Sequence, residues 1–115
     1  MSDFWATPPK PELEADLVNR CRETAKAMGV YLMEVGQYNA KRSGTTRGFP
    51  DLVLVCAGHV VLIELKRLKV KGVPGGILSL HQEAVITKCA DQGVTVHVVD
   101  RLEQFVGIVN WCRRT

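Results

Sequence analysis

Gly48-Phe49-Pro50-Asp51-Leu52-Val53-Leu54-Val55-Cys56, a bend at Ala57-Gly58, and His59-Val60-Val61-Leu62-Ile63-Glu64-Leu65-Lys66 form the stretch on which the fold reading turns. Two apolar runs joined by a Gly-containing bend predict a β-hairpin. If Ala57 and Gly58 make a two-residue loop, Cys56 pairs with His59 and Asp51 falls opposite Glu64. Side chains opposed in that way lie roughly 5 Å apart at Cβ and point to one face. A slip of the loop by one residue at each end sets Asp51 opposite Lys66 and keeps Glu64 on that face, so the grouping survives the slip.

Two carboxylates that close repel by about 3 kcal/mol at an effective dielectric near 20. A divalent cation offsets this best. Mg²⁺ takes one or two protein carboxylates and fills its other positions with water, carbonyl or phosphate. Lys66, one pleat beyond Glu64, is placed to hold a water or an anionic oxygen. The plainer reading makes Asp51 a loop end and Glu64 with Lys66 a solvated ion pair. Against it stand Val60, Val61, Leu62, Ile63 and Leu65, apolar on both faces as in a strand buried on both sides.

The rest of the chain is read outward from this hairpin. Residues 1–11 hold three prolines and read as an irregular arm with Phe4 and Trp5 as anchors; residues 12–115 read as one domain. A helix from Glu12 to Met28, stopped by Gly29, carries the stripe Leu17, Val18, Cys21, Ala25 and Met28. Glu14 falls inside that stripe, where a carboxylate is costly without a partner. It is either a third acidic group at the site or a rim residue favouring the helix dipole.

A strand is expected over Val30–Val35, then a polar loop from Gly36 to Gly48. A second glycine-rich basic stretch spans Lys69–Gly76. Ser79-Leu80-His81-Gln82 opens a helix to Gln92 as a capping box. Gln82 also lies amid Val85, Ile86 and Cys89, so capping and a place in the site are both open readings. A strand over Val94–Val99 and a last helix to about Trp111, capped by Asp100 with Glu103, complete the chain. The order predicts an α/β fold with a mixed sheet covered on both faces: an antiparallel hairpin, and a last strand reached by a crossover and paired parallel.

The net charge is only +3, but its placement is uneven. Lys41, Arg42 and Arg47 precede the Asp51 strand, and Lys66, Arg67, Lys69 and Lys71 follow Glu64. A phosphate backbone would be drawn to such a pair of clusters; the alternative is solvated loop charge. Cys21, Cys56, Cys89 and Cys112 have no zinc-site spacing. They read as reduced core residues, with Cys112 open to exposure near the end. No apolar run approaches a bilayer span and no signal-peptide pattern is present, so a cytoplasmic protein without membrane contact is expected.

In this order, Gly48-x-Pro50-Asp51, Glu64-x-Lys66 and Leu78-Ser79-x-x-Gln82 resemble the restriction-endonuclease-like PD-(D/E)XK superfamily. Within it, the chain over about Glu14 to Val106 is similar to the virus-type replication-repair nuclease family, VRR-NUC, in its stand-alone phage or bacterial form. The resemblance implies an αβββαβ core plus a C-terminal helix. It implies metal binding by Asp51, Glu64 and the Leu65 backbone carbonyl, and water positioning by Lys66. Gln82 matches the family's helix glutamine, and Glu14 its first-helix acidic residue by position only, with Glu12 as fallback. It transfers no role to Lys41, Arg42 or Arg47, which stay with Arg67, Lys69 and Lys71 as nucleic-acid-binding residues on charge alone.

The reaction these residues support is metal-assisted phosphodiester hydrolysis with Mg²⁺, for which Mn²⁺ substitutes. The implied substrate is branched DNA, four-way junctions above all, cut by a C₂ homodimer as DNA repair and recombination require. Phe105, Val106, Ile108, Val109 and Trp111 would supply part of that interface or else pack as a core helix. Flap, splayed-arm or single-strand cleavage is the alternative enzyme, and a DNA-binding module with a decayed site the alternative without chemistry.

Overall fold

The computed structural model describes residues 14–35, 46–67 and 75–115, the side chain of Glu14 excepted. The 1–11 arm, Glu12, Lys41, Arg42, Lys69 and Lys71 lie outside the described residues.

Among the described residues seven elements follow in order: α1 (Glu14–Met28), β1 (Tyr31–Glu34), β2 (Leu52–Cys56), β3 (His59–Leu65), α2 (Leu80–Asp91), β4 (Val96–Val99) and α3 (Leu102–Arg114). The four strands form one sheet in the order β1-β2-β3-β4. The first two pairings are antiparallel, and β3 pairs with β4 in parallel through the α2 crossover. This is the mixed α/β arrangement with a C-terminal helix expected from the order of elements.

Register follows from the bend. Ala57 and Gly58 both have positive φ, 51° and 82°, as a two-residue hairpin with a primed turn requires. Cys56 then pairs with His59 and Leu52 with Ile63.

Alternation along the strands sorts their side chains. Leu52, Leu54, Val61, Ile63, Leu65 and Val99 point to one face, where Leu17, Cys21 and Ala25 of α1 and Phe105, Val109 and Cys112 of α3 close the core. Arg113 of α3 also donates to the carbonyl of Met28, tying the ends of the two helices together.

The other face carries Val53, Val55, Val60, Leu62, Glu64, Val96 and Val98, with α2 beside β4. Here the expectation of a strand buried on both sides needs correction. Val60 is 68% exposed and Val98 43%, and β1 adds exposed Tyr31 and Met33. Among the described residues a single helix, with half-buried Val85, Ile86 and Cys89, covers only part of this four-stranded face. Burial on this side is concentrated around Glu64.

Two further expectations shift. The cap of α3 is Arg101 rather than Asp100 with Glu103; Gln104 Oε1 instead accepts from the Asp100 N–H at 2.8 Å. Phe105, Val109 and Cys112 are core residues, so α3 spends its apolar face inside the molecule, with Trp111 half-exposed at its edge. Cys112 is accordingly buried. Among the described residues no helix is long and apolar enough to cross a membrane.

Candidate active site

Asp51 directly precedes β2, and Glu64 is the sixth residue of β3. Continuing the register of Leu52 and Ile63 by one step sets the two acids opposite each other. Alternation from the turn makes this a non-hydrogen-bonded pair, in which opposed side chains approach most closely. The Asp51 backbone turns the other way, its carbonyl accepting from the Val35 N–H at 2.9 Å.

The next step of the register sets Leu65 opposite Pro50. There an antiparallel ladder would exchange two hydrogen bonds, but proline has no N–H. The Leu65 N–H donates instead to Asp51 Oδ2 at 2.8 Å. The Leu65 carbonyl lies on the same edge of its strand, facing a residue without a donor. Pro50 therefore ends the ladder so that one carboxylate and one backbone carbonyl come to the same place.

Glu64 is 2% exposed, a burial that a lone carboxylate does not tolerate. Gln82 Nε2 donates to Glu64 Oε1 at 2.5 Å, and Lys66 Nζ stands 3.8 Å from the same oxygen. The amide of Gln82 is used at both ends, because its Oε1 accepts from the Ser79 N–H at 2.8 Å while Ser79 Oγ accepts from the Gln82 N–H at 3.1 Å. Gln82 thus both caps the helix and touches Glu64. The capping box fixes the side chain whose far end meets Glu64.

Gly48 joins the loop before Asp51 to this helix start. Its φ is +82°, and a Cβ placed there would lie 2.4 Å from the carbonyl carbon and oxygen of His81 and 2.7 Å from the Gln82 nitrogen. Only glycine permits that approach. Sequence reasoning placed Gly48 in a motif but missed the contact, and it missed His81 altogether. A helix-start histidine carries no signal by itself.

The structure thus brings Asp51, Glu64, Lys66 and Gln82 together. Glu14 opens α1 three residues before buried Leu17, with its side chain outside the described residues. Arg47 is exposed beside the helix start and Arg67 half-buried after β3.

Among the described residues no group of three or more histidine, cysteine or acidic side chains gathers. Two carboxylates and a backbone carbonyl suit a hard cation such as Mg²⁺ or Mn²⁺, which keeps water or phosphate in its remaining positions. The two carboxylates and the Leu65 carbonyl fit such an ion.

A solved structure described as a VRR_NUC domain protein superposes with a TM-score of 0.65, over 88% of this chain and 88% of that one, at 19% identity. This chain shares that protein's fold. No protein-family model matches the sequence, and no curated protein matches it. The VRR_NUC-like fold agrees with the resemblance drawn from Pro50-Asp51, Glu64-x-Lys66 and Gln82.

Proposed function

We propose that this protein is a metal-dependent DNA endonuclease of the VRR-NUC type that hydrolyses phosphodiester bonds in branched DNA, four-way junctions foremost. The observation that carries the reading is the Asp51 and Glu64 pair beside the Leu65 carbonyl, with Lys66 and Gln82 on the buried acid. The VRR_NUC-like fold supports it.

Asp51, Glu64 and the Leu65 carbonyl would hold Mg²⁺ or Mn²⁺. When bound, that ion supplies Lewis-acid polarisation of a phosphodiester oxygen. The chain's own groups do the remainder. The Leu65 N–H and the Gln82 amide fix one oxygen of each carboxylate, so neither acid reorganises as charge develops. Lys66 carries its ammonium at the rim of the pair, its side chain 13% exposed, where it donates to a water or to a non-bridging oxygen. Burial under the start of α2 keeps bulk water away from Glu64 and strengthens each of these interactions.

A four-way junction needs two symmetric cuts, which a C₂ homodimer would supply. The test is cleavage of labelled four-way junction, flap, splayed-arm, single-strand and linear duplex DNA, with Mg²⁺, with Mn²⁺ and with chelator. Paired symmetric nicks in the junction with either metal are expected. Cutting confined to flaps or single strands would change the substrate and keep the chemistry. Cutting in chelator, or of no DNA at all, would remove the proposal.

A further inference from the structure

One basic pair next to the acid cluster has no part in the chemistry above. Arg47 Nη1 approaches His81 Nε2 at 3.4 Å, and both side chains are exposed. A guanidinium only donates, so the facing ring nitrogen of His81 serves it as the acceptor. Among the described residues no carboxylate pairs with Arg47. An arginine whose backbone is fixed, whose side chain is braced by an imidazole nitrogen, and whose charge no carboxylate among the described residues neutralises is prepared for an anion.

The placement is built rather than incidental. Gly48 follows Arg47 and presses its backbone onto the peptide of His81 itself. The Phe49 N–H donates to the Thr46 carbonyl at 3.2 Å, closing the turn that contains both. His81 precedes Gln82, whose amide holds Glu64. Two residues therefore separate the Arg47 guanidinium from the proposed cutting site, at the end of α2 where helix partial charge adds a small attraction for anions.

We infer that Arg47 binds a backbone phosphate of the DNA strand next to the one being cut, with His81 as the positioning residue that aims its guanidinium. Bracing at Nη1 leaves the rest of the guanidinium fork for two phosphate oxygens. The inference rests on the DNA-cleaving reading above and adds to it the contact that sets the strand's register over the acids.

The test is binding of the full chain to a labelled four-way junction in chelator, over a series of salt concentrations, for wild type, Arg47→Ala, Arg47→Lys, His81→Leu, His81→Gln and the Arg47→Ala/His81→Leu double variant. Circular dichroism melts accompany each, and these exposed positions are expected to leave them unchanged. Arg47→Ala should weaken binding about fivefold and lower the slope of log K against log salt by about one. Arg47→Lys should restore the slope while recovering only part of the affinity. His81→Leu should cause part of the loss alone and none in the Arg47→Ala background, whereas His81→Gln, which keeps an acceptor, should bind nearly as wild type. An unchanged slope in Arg47→Ala, or a His81→Leu loss that persists without Arg47, overturns the inference while a cutting wild type upholds the nuclease reading. Wild-type protein that neither binds nor cuts any DNA overturns both.

Discussion

Gln82 donates its side-chain amide to Glu64 at 2.5 Å, while the oxygen of the same amide closes the N-terminal cap of α2. One side chain thus links the start of a helix to the buried acid of a strand, and substitutions at Gln82 separate its two duties. Gln82→Ala removes both and leaves Glu64 buried with one donor fewer, at a cost of about 1–3 kcal/mol. Gln82→Glu keeps an acceptor for the Ser79 N–H but sets a second carboxylate against Glu64. Its deficit in urea unfolding should be large at neutral pH and shrink on acidification, as a proton comes to be shared between the two.

Gly48 and Gly58 have the same φ, +82°, and differ in what surrounds them. At Gly58 an added Cβ meets open space, so Gly58→Ala costs only backbone strain, about 1–2 kcal/mol. At Gly48 it meets the peptide of His81, and strain plus overpacking brings the cost to about 3 kcal/mol. Thermal melts of the two variants should separate clearly. Cleavage should fall further in Gly48→Ala, because the displaced helix start carries Gln82.

Arg22 of α1 holds Glu34 of β1 through two hydrogen bonds, at 2.6 and 2.5 Å. The guanidinium keeps the Glu34 carboxyl below the usual carboxylate range, its hydrogen bond outweighing the opposing effect of burial. A lowered folded-state value adds stability that is complete above the ordinary carboxylate range and is lost as pH falls through the lowered one. Both groups are half-exposed, so the effect is small. Arg22→Ala should lower the urea midpoint slightly at pH 7, and the difference from wild type should vanish in strong acid.

Burial, with Cys56 as neighbour, pushes the Cys112 thiol up, and Cys21 and Cys56 are buried in the same core. Cys89 on α2 is only half-buried. A thiol reagent should therefore modify Cys89 first in native protein and reach the other three only in denaturant. Mass spectrometry of the labelled peptides reads the order.

Most of what positions the acids was legible along the chain. Ala57-Gly58 determines the hairpin register, and parity then carries Asp51 and Glu64 to one face; Ser79 and Gln82 mark a helix start by local spacing. These are short-range signals, each residue constrained by neighbours within a turn or across a tight bend. What escaped depends on contacts between distant segments. The peptide of His81 admits only a glycine at position 48, Arg22 finds Glu34 twelve residues away, and Val60 is exposed because the one helix described on its face lies beside β4. The misplaced cap at Asp100 has a local cause: Gln104 reached the Asp100 N–H that Glu103 was expected to take.

Asp51 and Glu64 are proposed to act as one cation site. Asp51→Asn is the sharpest probe, since asparagine keeps a side-chain oxygen for the Leu65 N–H and so spares the fold while removing the charge. With Mg²⁺ and a four-way junction, purified Asp51→Asn protein of unchanged melting temperature should cut about a hundredfold more slowly than wild type or worse. Cutting at the wild-type rate would contradict the central claim.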